Sequence, residues 1–189
     1  MKKKNASYII RRAIFLTIFF FICAAQTVHA FESNSDSTRI QATPFDYKLS
    51  QAGFFMERYD NAQISQQESI DSLFLKARLF RYAHDSRQNQ WQSSEETEIN
   101  RSGDCKDKAL WLYTQLKKNG YIHVRLVLGK YRSFDRLFHA WLLYTDNSNI
   151  SYLLDPTLQK RVWEEASIAS GFYKPIYSFN GRNRYRHVV

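Results

Sequence analysis

Residues 102–128 read SGDCKDKALWLYTQLKKNGYIHVRLVL, and within them the apolar spacing changes from helical to alternating. Leu110, Leu112, Tyr113 and Leu116 recur at helical intervals after a start near Ser102–Asp104, and Asn119-Gly120 is a natural C-terminal stop. Ile122, Val124, Leu126 and Leu128 then take every second place, the pattern of a strand. A helix therefore leads directly into a sheet.

Downstream, Leu137–Thr145 (LFHAWLLYT) and Ile150–Asp155 (ISYLLD) are β-prone runs separated by the turn-forming Asp146-Asn147-Ser148-Asn149, and an antiparallel hairpin is expected. Residues 172–189 are rich in aromatics and arginine and could add short strands. Upstream, Ser65-Gln66-Gln67-Glu68 fits a capping box ahead of Ile70, Leu73, Phe74, Ala77 and Phe80, which predicts an amphipathic helix over 66–83. His84 to Glu98 is polar apart from Trp91 and reads as a loop. Helices first and an antiparallel sheet afterwards make an α+β domain.

The termini set the domain organisation. Residues 1–30 combine Lys2, Lys3, Lys4, Arg11 and Arg12 with the apolar run Ala13–Ala25 and then Val28-His29-Ala30, the layout of a cleaved signal peptide. That run is shorter than the ~20 residues a spanning helix needs, so no stable membrane span is expected after cleavage. Residues 31–64 read as a polar lead-in, with 31–50 loosely ordered around Pro44 and no core beginning there, and 65–189 as the main folded domain. The chain carries a formal +9, of which the leader's five bases supply more than half. With no phosphate-cradling glycine loop or basic–aromatic motif beside it, the remaining charge does not point to a nucleic-acid partner.

Cleavage would remove Cys23 and leave Cys105 as the only thiol. Cys105 falls in the first turn of the second helix, where unpaired amides and the positive end of the helix dipole favour a thiolate and could hold an oxyanion. Such a nucleophile needs a base, and the base needs an orienting acceptor. His139 within the middle strand and Asp155 at the end of the next can supply them. If Thr145 pairs with Asn149 across a three-residue loop, His139 and Asp155 stand directly opposite on one face. A one-residue slip would separate them, so the pairing demands an even-sum register or a compensating bulge. His84, His123 and His187 lack metal-ligand spacing and read as structural or surface residues. Arg182, Arg184 and Arg186 alternate as solvated charges on a terminal strand would.

Gly103-Asp104-Cys105-Lys106-Asp107-Lys108-Ala109, Gly120-Tyr121, Val124-Arg125-Leu126-Val127, His139-Ala140-Trp141 and Leu154-Asp155-Pro156-Thr157 follow one another within roughly residues 88–158. In this order they resemble the core motifs of the transglutaminase-like cysteine-enzyme superfamily. The chain is most similar to its bacterial transglutaminase-like cysteine proteinases, which are periplasmic and cleave surface adhesins; Trp91 and Lys174–Asn180 also look like that subgroup.

The resemblance implies a papain-like fold, with the nucleophile at a helix N-terminus packed on an antiparallel sheet. It further implies a Cys105, His139, Asp155 triad acting on a protein or peptide of the cell envelope, in the periplasm or outside the cell. The Cys105 amide is the first oxyanion donor and the Trp91 indole the second, although Trp91 also reads as a packing residue. The subgroup is associated with calcium and tends to carry an acid directly after the nucleophile. Lys106 at that position weighs against calcium, and no cofactor is expected. Trp141 after His-Ala pulls toward the broader superfamily. Two rivals keep the same fold: an acyl transferase that passes the acyl group to an amine, and a binding module with an inactive site.

Overall fold

Asp104 starts the central helix by accepting the backbone N–H of Lys106, while Asp107 reaches back to the N–H of Asp104, a reciprocal cap that satisfies two otherwise unpaired donors. That helix, α4 (Cys105–Lys118), belongs to a computed structural model that describes residues 37–55, 68–84 and 90–188. The leader assigned to 1–30, with Cys23, lies outside the described residues. Leu110, Trp111, Leu112, Tyr113 and Leu116 are all buried, so α4 is enclosed on nearly every side.

Before α4 come β1 (Ser37–Ile40), α1 (Asp46–Gln51), α2 (Ile70–Leu79), β2 (Arg81–Tyr82), α3 (Ser94–Asn100) and β3 (Ser102–Gly103). After it come β4 (Val124–Arg132), β5 (His139–Thr145), β6 (Ser151–Leu154), β7 (Trp163–Glu164), β8 (Phe172–Asn180) and β9 (Asn183–His187). Seven strands form one antiparallel sheet in the order β1-β9-β8-β4-β5-β6-β7, and β2 pairs with β3 in parallel. Helix α4 packs against β4 and β5 on one side and α2 and α3 on the other. Leu126, Leu128, Ala140 and Leu142 join the helices in the main core, while Val127, Trp141, Leu153 and Tyr173 form a second cluster. The expected α+β arrangement, with the helix that carries Cys105 packed on an antiparallel sheet, is the one observed.

Several local expectations change. Helix α2 is capped by Ser69, which accepts the Ser72 N–H, and it ends at Leu79; Ser65, Gln66 and Gln67 of the expected box lie outside the described residues. The stretch read as a loop holds α3, built by a capping box between Ser93 and Glu96 with little apolar periodicity. Residues 37–55 do not lead in loosely. They supply an edge strand and a helix, with Leu49 and Phe54 in the main core. Arg184 is not simply solvated: its Nε donates to Asp46 Oδ2 at 2.7 Å and its guanidinium lies 4.4 Å from the Phe55 ring, which ties α1 to β9.

The hairpin register differs by two residues from the expected one. Thr145 pairs with Ser151 and Leu142 with Leu154, leaving a five-residue loop in which Asp146 Oδ1 accepts the N–H groups of Ser148 and Ile150, both at 2.9 Å. Asn149 takes the left-handed conformation, φ 63°, that this loop requires. A shift of two preserves which face each side chain occupies, so His139 and Asp155 stay on one side as diagonal rather than direct neighbours.

Gly129 pairs with His139 at an irregularity where β4 changes register against β8. A Cβ there would strike the Lys174 carbonyl oxygen and come within 2.6 Å of Trp141 Cη2. Gly129→Ala is therefore expected to destabilise the fold by about 1–3 kcal/mol, read as a lower denaturation midpoint at unchanged m-value. A midpoint equal to wild type would contradict this close approach.

Candidate active site

Cys105 is the first residue of α4, half-buried, and packs at the margin of the main core. His139, the first residue of β5, feels the Cys105 side chain, which helps raise the pKa of its ring. His139 Nε2 lies 2.7 Å from Asp155 Oδ2, so Nδ1 is the ring nitrogen left for the thiol. Asp155 directly follows β6 and is fully buried. The structure thus brings together the three residues expected from the sequence.

The carboxylate of Asp155 is saturated with donors. Oδ1 accepts the backbone N–H groups of Thr157 at 2.9 Å and Leu158 at 3.1 Å, and Oδ2 accepts both His139 Nε2–H and the Tyr173 hydroxyl at 2.8 Å. Such a set holds the carboxylate in one orientation. Burial alone would push His139 toward the neutral ring. The hydrogen bonds and charges of Asp155 and Cys105 outweigh it and raise His139 to about 10. Because the folded value is raised, the stability this bond contributes is full below the unfolded value near 6.5 and is lost as pH rises through about 10.

Tyr173 had no part in the sequence reading. Its hydroxyl receives Gln159 Nε2 at 2.7 Å while donating to Asp155, and its ring packs edge-on against Trp141 at 5.3 Å and Tyr131 at 5.1 Å. Burial and the neighbouring Asp155 charge push the phenol's pKa up, so it remains a neutral donor. Tyr173 also holds a left-handed backbone, φ 50°, which an aromatic residue adopts only under constraint. The one available signal was an aromatic just after Gly171-Phe172, too common a pattern to single it out.

Two lysines on α4 are buried as well. Lys108 Nζ donates to the carbonyls of Pro156 at 3.4 Å and Arg78 at 3.3 Å, joining the first turn of α4 to the segment after Asp155; burial and the Arg78 charge lower its pKa. Lys106 Nζ lies 2.6 Å from Asp104 Oδ2 and 3.5 Å from Asp107 Oδ1. Burial and the Asp104 charge push Asp107 up to about 6, a rise that Lys106 limits. Asp107 also accepts the backbone N–H of Gln92 at 3.0 Å, which docks the residue next to Trp91 on this helix turn. Trp91 itself is half-buried against the main core. Tyr82, exposed on β2 opposite Gly103, feels the charges of Cys105 and Asp104 and stands at the rim. His187 is structural: it is buried, bonded to Ser178 Oγ at 2.9 Å, and lowered to about 4 by burial and the Arg125 charge.

No protein-family model matches the chain, and no curated protein matches it. Among solved structures it is similar to Legionella pneumophila LapG in its EGTA-treated form, with 18% identity and a TM-score of 0.56, covering 76% of this chain and 77% of that one. The calcium-bound form of LapG gives 19% identity and a TM-score of 0.52 over 74% of this chain and 78% of that one. At such identity the likeness is one of fold. The observed helix-on-sheet architecture agrees with it, and the chain has the papain-like, transglutaminase-like fold of these structures.

Proposed function

We propose that this chain is an exported, cysteine-dependent amide hydrolase that cleaves a protein or peptide of the cell envelope through Cys105, His139 and Asp155. The observation that supports it best is the 2.7 Å bond from His139 to a buried and fully satisfied carboxylate, with the same ring influenced by a thiol at a helix N-terminus. In this reading Cys105 Sγ, as the thiolate, attacks the amide carbonyl carbon and forms the C–S bond. The resulting oxyanion is met by the Cys105 amide, with the Trp91 indole as the second candidate donor. Collapse breaks the C–N bond as imidazolium His139 gives its proton to the departing amine. Neutral His139 then takes a proton from water, whose oxygen attacks the thioester carbon, and breaking the C–S bond frees the acid and restores the thiolate beside imidazolium His139.

Export is supported by the pattern of residues 1–30, and among the described residues no helix is long and apolar enough to cross a membrane. The test is the alkylation of Cys105 by iodoacetamide in wild type and in His139→Ala. With His139 raised to about 10, the imidazolium persists through neutral pH, so wild-type Cys105 should react at pH 6–7 at least ~10-fold faster than a free-cysteine peptide. That advantage should shrink toward pH 10 as His139 loses its proton and should be absent in His139→Ala. Equal, slow reaction in both proteins would favour the binding module.

LapG has been solved with calcium, so the acidic turn beside Cys105 must be examined for a similar ion. Calcium needs six to eight oxygen ligands with free lone pairs. Here all four oxygens of Asp104 and Asp107 already accept N–H donors: Asp104 Oδ1 from the Lys106 amide, Asp104 Oδ2 from Lys106 Nζ, and Asp107 Oδ1 and Oδ2 from Gln92 and the Asp104 amide. An ammonium lies between the carboxylates, and these residues do not fit a divalent cation. The proposed chemistry draws only on the chain's own side chains.

A further inference from the structure

We infer that Lys106 is a resident cation: its ammonium neutralises the Asp104–Asp107 pair under the nucleophile, so this turn neither binds nor needs calcium. Both carboxylates are buried, Asp107 completely, and both belong to the first turn that presents Cys105. Two buried negative charges at this spacing repel each other and lack water to screen them, a cost that the capping amides offset in part and a cation in the same space offsets further. Lys106 meets that need with one residue. Its backbone N–H caps Asp104 Oδ1, and its side chain folds back so that Nζ donates to Asp104 Oδ2 at 2.6 Å and stands 3.5 Å from Asp107 Oδ1.

The ammonium already occupies the position between the two carboxylates that a metal ion would take. A divalent cation within ligand distance of these oxygens would lie next to an ammonium of like charge and would have to displace the capping N–H groups of α4. Among the described residues no group of three or more histidine, cysteine or acidic side chains is placed to hold a metal. The cation is covalently part of the chain, and a chelator cannot remove it. The stability of the turn that carries Cys105 is then independent of the calcium concentration around the protein. This inference rests on the packing of the turn rather than on the proposed hydrolysis, and its test reads stability and ion binding only.

Calcium chloride is titrated into the purified protein by calorimetry, and thermal unfolding is followed in millimolar calcium and in EGTA for wild type, Lys106→Gln, Lys106→Arg and Lys106→Glu. Wild type should give no binding heat and the same Tm in both media. Lys106→Gln, which strands two buried carboxylates, should unfold roughly 10 °C lower in EGTA, and Lys106→Arg should recover most of that loss. Lys106→Glu, with three acids and no ammonium, should be the variant whose Tm calcium raises. A wild-type Tm that rises with calcium, or Lys106→Gln as stable as wild type, would overturn the inference. If Lys106→Gln does not fold, the wild-type titration decides alone.

Discussion

Cys105→Ser is expected to reduce amide hydrolysis at least ~10³-fold while leaving the unfolding transition within about 0.5 kcal/mol of wild type. The size of the loss follows from the protonation of His139. Asp155 and Cys105 together raise it to about 10, so at neutral pH the ring is an imidazolium waiting to give a proton rather than a base waiting to take one. That arrangement suits a sulfur nucleophile, whose thiolate is the natural partner of a cation. A serine hydroxyl in the same place cannot ionise near neutrality and faces a ring that, still bonded to Asp155, is slow to accept its proton. What remains should be the catalysis supplied by binding and the oxyanion donors. The small stability change follows because Cys105 is half-buried at the edge of the core, where sulfur and oxygen differ little in volume. Steady-state hydrolysis of a peptide panel and thermal unfolding of the same preparations check both halves. Turnover in Cys105→Ser within ~10-fold of wild type would remove Cys105 from the chemistry.

The parts of this site legible in the sequence are those set by local chemistry. Asp104 and Asp107 cap α4 through bonds that span three residues, and Asn119-Gly120 ends it, so the helix that presents Cys105 could be bounded almost to the residue. The face shared by His139 and Asp155 was also legible, because alternation depends only on parity. The register itself was not, since it is decided by Asp146 folding over two loop amides, a choice between equally polar turns. Helix α3 escaped because its evidence is a capping box rather than an apolar stripe, and its one large apolar residue, Ile99, is exposed. The core role of Leu49 and Phe54 escaped for the opposite reason. Their apolar neighbours Phe45, Ala52 and Phe55 extend over too few turns to mark an element, and their burial comes from elements distant in sequence: Phe54 meets Tyr113 at 4.9 Å and Phe179 at 6.1 Å. Tyr173 is of the same kind, brought to Asp155 by β8 crossing back beside β4.

Asp155→Asn should cost hydrolysis roughly 10³–10⁴-fold, and Tyr173→Phe only a few-fold. All four groups around the Asp155 carboxylate donate, whereas an asparagine offers one accepting oxygen and one donating NH₂. One pair of donors must therefore be faced by a donor. The Thr157 and Leu158 amides cannot reverse, but the Tyr173 hydroxyl can rotate and His139 can change tautomer. The amide oxygen should stay on the backbone pair, and Nδ2 should point at His139 Nε2. That interaction requires Nε2 to accept, so the ring proton moves to Nδ1 and faces Cys105. His139 then loses the carboxylate that keeps it an imidazolium at neutral pH, and the neutral ring left behind cannot take the thiol proton through its protonated Nδ1, so the thiolate is lost and the effect falls on kcat rather than on KM. Tyr173→Phe removes a single donor from Asp155 Oδ2 and leaves His139 Nε2–H in place, so the tautomer survives and only its hold on the acid loosens. Nitrogen-15 chemical shifts of the His139 ring at neutral pH distinguish the two: a neutral Nδ1–H ring in Asp155→Asn and an imidazolium that keeps its Nε2–H in Tyr173→Phe are the expected signatures. If Asp155→Asn keeps the Nε2–H form and loses less than ~10-fold in kcat, the amide oxygen faces His139, and the backbone amides do not dictate the orientation of the acid.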